Sequence, residues 1–406
     1  MITVLIAPPV ARNRLFDAMT GEGLRLFFPL ATLHAALWPL LWVFLWSFGL
    51  PLVSATAPGQ WHAQEMIIGS FGAALIGFLT SALPEWTDTP RLSGRPLLVL
   101  AGLWGLARFA GLVGFEPLIP VAALADQAWL LFLLAYVLLL SWRLRTTGLL
   151  GFAALLAALA LSAGGLRLAM LQGDFDVGER AIRFGAIAFL GLLGLAIARI
   201  TVPVTNLILD PSEATSPYRP HPGRINMAPA LVGLLLVAEA TGHSDALRGY
   251  LMIAAGAAFL DRVAEGFVGR EAFRAELAGL WLSSALAGTG LVLGGLSLTG
   301  LPLPFVGALH LMLMGGLGIG VLAVLSIAGL LHTGQPLVFA PSTRIAMLLM
   351  LGAVLLRIAP EFLPGLPLPG GPHGLSAAFW GLSLALWLKT YLPLLWSSAT
   401  LASESS

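Results

Sequence analysis

Cysteine is absent from the 406 residues, which excludes thiolate metal ligands, iron–sulfur clusters and disulfides. Any metal or haem would have to be held by His, Met, carboxylate or backbone atoms. Charge is nearly as scarce: Asp, Glu, Lys and Arg together make up 10% of the chain, and Lys389 is its one lysine. With a net charge of +1 and arginines thinly spread, there is no basic patch for a nucleic-acid partner. No Walker motif, Ser-His-Asp arrangement or H-E-x-x-H zinc motif occurs. No soluble stretch is long enough to house an enzyme of its own. The opening residues, MITVLIAPPVARNR, have no basic segment ahead of their apolar part, and Pro8 and Pro9 interrupt them. No cleaved signal peptide is therefore expected.

What fills the chain is apolar: 58% of residues are hydrophobic, and the mean hydropathy is +0.91. No single water-soluble core hides that much apolar surface, so the chain reads as an all-α, polytopic membrane protein. A membrane helix needs roughly 20 predominantly apolar residues. Twelve segments qualify, at about 26–48, 64–83, 96–115, 121–142, 148–171, 181–202, 226–241, 246–264, 276–297, 304–330, 343–358 and 375–395. The seventh and eleventh are the shortest. All lack the alternation that a barrel strand needs.

The arginines orient the bundle. Arg12, Arg14, Arg25, Arg91, Arg95, Arg143, Arg145, Arg219, Arg224, Arg262, Arg270, Arg274 and Arg344 fall on the side of the N-terminus. By the positive-inside rule both termini are expected in the cytoplasm, which an even number of spans requires. The stretch DPSEATSPYRPHPGR, from Asp210 to Arg224, is the longest polar one. It makes residues about 203–225 a cytoplasmic connection between two sets of six spans. Residues 1–406 then form a single transmembrane domain.

Ionisable residues within spans are costly and point to function by default. His62 and Glu65 open helix two, and His310 lies roughly 9 Å into helix ten. Arg108, Asp126, Arg167 and Glu239 sit at matching depth on helices three, four, five and seven. All fall in the outer half of the bundle. The plainer reading is that helix ends are polar where headgroups begin, and that Arg108 and Arg167 snorkel to the interface. His310 resists it best, because the 21 residues after it carry no charge. The functional reading is a cofactor or ion site near the outer face, with imidazole ligands. His34 lies about 12 Å from the cytoplasmic end of helix one, followed by Trp38, Trp42 and Trp46 at four-residue spacing. Those tryptophans either stack on a planar cofactor or simply pack. His332 closes helix ten, roughly 33 Å from His310 along a straight helix, so the two do not share a metal. His221, His243 and His373 lie in loops and read as solvent histidines. The run MGGLGIG, Met314 to Gly320, is mid-membrane and reads as a small-residue packing face rather than a nucleotide fingerprint.

Three stretches, RLFFPLATLHAALWPLLW, WHAQEMIIGSFGAALIGFLTSALPEWT and GALHLMLMGGLGIGVLAVLSIAGLLHTGQPL, resemble the NnrS family. These are twelve-span bacterial membrane proteins that bind haem and copper and are associated with nitric oxide tolerance. Trp61, His62, Ala63, Glu65 and Met66 match the family's W-H-A-H-E-M, with Gln64 in place of its second histidine. His310, Arg108 and the closing His332, Thr333, Gly334 and Pro336 also match. Family histidines near the end of helix five and within helix nine have no counterpart here.

The resemblance implies a haem protein of the bacterial inner membrane, serving nitric oxide response or denitrification-type respiration. Copper is a second candidate cofactor. His62 and His310 would be its metal ligands, with His34 and His332 as further cofactor contacts. Arg108 and Arg167 would neutralise propionates. Glu65, on one helical face with His62, would orient that imidazole, and Gln64 would stand beside it. Two axial histidines leave no free position for nitric oxide and favour electron transfer or sensing; a five-coordinate iron would admit it. Two other classes compete. One is a transporter of haem, metal or a small anion. The other is a cofactor-poor subunit docked to other membrane or respiratory proteins, which the missing histidines favour. Beyond these, the bilayer is the expected partner.

Overall fold

The computed structural model describes residues 14–48, 57–113, 116–366, 368 and 371–402. Arg12, Pro8 and Pro9 lie outside the described residues, as does the side chain of Trp46. Among the described residues the chain is all-helical, with no strand. The long helices are α1 Gly23–Phe48, α2 Pro58–Thr87, α3 Arg95–Val113, α4 Ile119–Arg143, α5 Leu150–Gln172 and α6 Phe175–Leu209. They continue with α7 Pro222–Ala240, α8 Asp245–Asp261, α9 Ala275–Leu298, α10 Phe305–Leu331, α11 Pro341–Phe362 and α12 Gly371–Leu395.

Among the described residues, ten helices are long and apolar enough to cross a membrane. The two that looked short in sequence, α7 and α11, run to 19 and 22 residues. Their first turns carry Pro222 and Pro341, which lack only an N–H that a helix start leaves unbonded anyway. The polar connection is likewise shorter than expected, 210–221, because α6 continues to Leu209 through Pro203. Packed neighbours tolerate such a proline inside a membrane helix.

Consecutive helices pack side by side, and α12 returns to lie against α1. Within this arrangement α2 and α10 are the most enclosed, with 89% and 72% of their apolar stretches buried. The largest apolar cluster contains residues from Leu24 to Leu395. Small residues let the helices approach. Gly316 of α10 faces Ala287 of α9, and Gly320 faces Ser283 and Leu193, so the glycine-rich run is a packing surface.

The two central helices share a second trait. Each contains a π-helical stretch, Glu65–Phe71 in α2 and Leu311–Gly318 in α10. Such widened turns disturb the regular backbone bonding and recur at functional sites. Neighbouring side chains bond to carbonyls within both stretches. Trp104 Nε1 of α3 donates to the Gly69 carbonyl at 2.9 Å, and Ser283 Oγ of α9 donates to the Gly316 carbonyl at 2.6 Å.

Candidate functional site

His62 lies one turn before the π-helical stretch of α2 and His310 immediately before that of α10, and both line one cavity of about 500 Å³. Its walls come from α1, α2, α6, α10, α11 and α12 and are mostly apolar. His310 Nδ1 lies 2.8 Å from the Val306 carbonyl. Since a carbonyl only accepts, Nδ1 carries the proton and Nε2 keeps its lone pair, the tautomer a metal-bound imidazole adopts. His62 Nδ1 is buried without a hydrogen-bond partner, and its ring packs 4.9 Å from that of Trp42. His373 lines the same cavity, its ring 5.4 Å from that of Trp42 and edge-on to it. In sequence His373 reads as a loop histidine, because PLPGGPHG is all turn formers. The helix in fact begins at Gly371 and takes the imidazole into its first turn.

Two guanidiniums line the cavity, and neither belongs to the arginines singled out in sequence. They are Arg183, bonded to Glu239 at 2.5 Å, and Arg357, bonded to Glu361 at 2.8 Å. Arg108 and Arg167 are absent from its lining. Both turn to Asp126: Arg108 through Nη2, and Arg167 through Nε at 3.1 Å and Nη2 at 2.8 Å. Glu65 completes the cluster, 2.8 Å from Arg108 Nη1 and 3.7 Å from Arg167 Nη2. Two carboxylates and two guanidiniums thus balance inside the bundle, with both acids fully buried. Buried charges persist only when paired this way.

Glu65 therefore does not orient His62, whose Nδ1 it leaves unbonded. The helix widens from Glu65 onward, and full positive charges attract the carboxylate more strongly than a neutral ring does. Gln64 joins the same cluster, its Nε2 donating to Asp126 Oδ2 at 3.1 Å. So does His34, which lies 3.4 Å from Glu65 through Nε2 and 2.8 Å from Ser70 Oγ through Nδ1. Its ring stacks on Trp38 and meets Trp104 edge-on. His34 accordingly belongs to the ion cluster and not to the cavity lining. Asp126, the hub, stood in the sequence as an isolated acid in an apolar run. Charge balance against the two intramembrane arginines was the signal that could have paired it.

The far end of the bundle holds His332. Its Nδ1 lies 2.9 Å from Glu22 and its Nε2 3.4 Å from Glu85, with Arg91 3.7 Å from Glu22. A second cavity of about 430 Å³ opens there, lined by His332, Glu85, Arg91 and Arg199 over apolar walls. Burial alone would lower the imidazole's pKa, but the two carboxylates outweigh it and hold it at about 9, above the ordinary 6.5. The protonated form is thus favoured by folding, and its stabilisation is complete below about pH 6.5 and lost as pH rises through about 9. The thermal midpoint of the purified protein should fall across that window, and His332→Gln should flatten the fall. A wild-type midpoint level from pH 6.5 to 9 would contradict the pairing.

Among the described residues no cluster of three or more His, Asp or Glu is placed to hold a metal ion. Bare ions held by protein generally use three or more side-chain ligands. A haem brings four ring nitrogens of its own and asks the protein for one or two axial donors, which the His62 and His310 cavity can offer. The family described as NnrS protein matches residues 18–398, nearly the whole chain. No curated protein and no solved structure matches the sequence.

Proposed function

The chain belongs to the NnrS family, and from that premise we propose that it is a haem protein of the bacterial cytoplasmic membrane acting in the response to nitric oxide. The observation that carries the proposal is the pair His62 and His310, on the two most enclosed helices, facing one cavity with imidazole nitrogens left for a ligand. His310 would ligate through Nε2, held in orientation by the Val306 carbonyl. Arg183 and Arg357 would meet the propionates, each free to exchange part of its present carboxylate contact for another. The ion cluster under His62 fixes the α2 backbone against α3, α4 and α5 and keeps that wall rigid. When bound, the haem would supply one-electron chemistry, and an iron held by only one of the two imidazoles would be able to meet nitric oxide. Ligation by both histidines favours electron transfer or sensing over turnover. Copper is the alternative occupant.

A second reading is favoured by the cavities at the two ends of the bundle, each carrying a few charged side chains on apolar walls. In it the chain is a transporter of haem, metal or a small anion. One experiment separates the two. The protein is purified in mild detergent, and reduced-minus-oxidised spectra and metal content are recorded. Haem near one per chain is expected, with occupancy falling at least about tenfold in His310→Ala and in His62→Ala. A preparation with neither haem nor copper would overturn the reading. A haem band that survives both substitutions would overturn the ligand assignment.

A further inference from the structure

Between these two cavities lies a third, of about 60 Å³, lined entirely by apolar side chains and one glycine. Phe71, the last residue of the π-helical stretch in α2, lines both this cavity and the one holding His62 and His310. Phe28, Phe78 and Val324 line both this cavity and the one holding His332. The three cavities therefore follow one another along α2, α6 and α10, each neighbouring pair sharing lining side chains. Phe71, Phe189, Leu192 and Leu317 of the middle cavity are all buried.

Small apolar voids stay dry and take up apolar atoms such as xenon, because water placed there finds no hydrogen-bond partners. A charged solute would have to shed its hydration with nothing to replace it. We propose that the middle cavity is a binding and passage site for a small, uncharged diatomic gas moving between the bundle's far end and the His62 and His310 cavity, and that it closes that path to ions and water. Phe71 is the side chain standing at the last step. The inference extends the proposed function by giving its site a substrate class, but the cavity itself does not depend on a haem being present.

Xenon-pressurised crystals of the full chain test it. Xenon is expected between Phe71, Leu192 and Leu317, with occupancy lost in Ala196→Leu, which fills the cavity, and raised in Leu192→Ala, which enlarges it. Nitric oxide and dioxygen share the required chemistry, so each is then competed against xenon. Displacement by either supports the proposal, and displacement by neither overturns it. On haem-loaded protein in which His62→Ala leaves one iron position open, adding Phe71→Trp should slow recombination of carbon monoxide from solution, after flash photolysis, about tenfold. Ordered water in place of xenon, or an unchanged rate in Phe71→Trp, would overturn the proposal. Xenon bound in protein that lacks haem would overturn the proposed function and leave this inference standing. Haem without xenon would do the reverse.

Discussion

Asp126→Asn should destabilise the protein by about 3–5 kcal/mol, the range for removing one partner of a buried ion pair. The substitution keeps size and shape and removes only charge. It leaves Glu65 as the single carboxylate facing Arg108 and Arg167, with a net positive charge in a region that water does not reach. Gln64 and Trp129, which donate to the Asp126 oxygens at 3.1 and 3.3 Å, would face a weaker acceptor. Five helices meet at this cluster, α1 to α5, so the loss should appear as a lower thermal midpoint and a reduced monodisperse yield in detergent. Removing one charge of each sign, in Asp126→Asn with Arg167→Gln, should recover more than half of it. A single variant within about 1 kcal/mol of wild type would show that Asp126 is not the hub.

The second large effect concerns the seam between α8 and α9. Here Gly249 and Gly256 of one helix meet Gly295 and Gly288 of the other backbone to backbone. A β-carbon built on Gly256 would lie 2.7 Å from the Gly288 carbonyl oxygen, and one on Gly288 would lie 2.7 Å from that of Gly256. A rotamer change cannot relieve a clash with backbone, so the helices must part. Gly256→Leu should cost about 3 kcal/mol or more, at or above the top of the range for overpacked cores. The matched control is Gly233→Leu on α7, where a β-carbon meets nothing within 4 Å and the change should be neutral. Thermal midpoints of the two variants decide it. Equal midpoints would mean that the seam is slack.

Helix positions were largely readable from hydropathy, because a run of twenty apolar residues has few alternatives to spanning a bilayer. Where the reading slipped, proline was the cause. Pro203, Pro222 and Pro341 look like punctuation, yet one sits inside a packed helix and two begin helices. His62 and His310 were readable as a pair, since equal depth on two helices is a statement about position along the axis. Which way each side chain turns about its helix was not readable. Depth placed Arg108 and Arg167 beside the histidines, but only packing turns them toward Asp126 and leaves Arg183 and Arg357 on the cavity wall. His34 shows the same limit. The family resemblance made it a further cofactor contact, and the fold gives it to Glu65 and Ser70.

The widened turn in α2 acts as an indexing device. An α-helix advances about 100° per residue, so one surplus residue accommodated between Glu65 and Phe71 rotates everything before it by about that angle relative to everything after. The segment Pro58–Gln64 can then aim His62 at the cavity, while Gly72–Thr87 keeps its own apolar side against the core. Were the same residues to run as a regular α-helix, the imidazole would swing by about 100°, a little over a quarter-turn, away from His310. The direction in which His62 points is thus set by the widened turn, and the same device sits directly after His310 in α10.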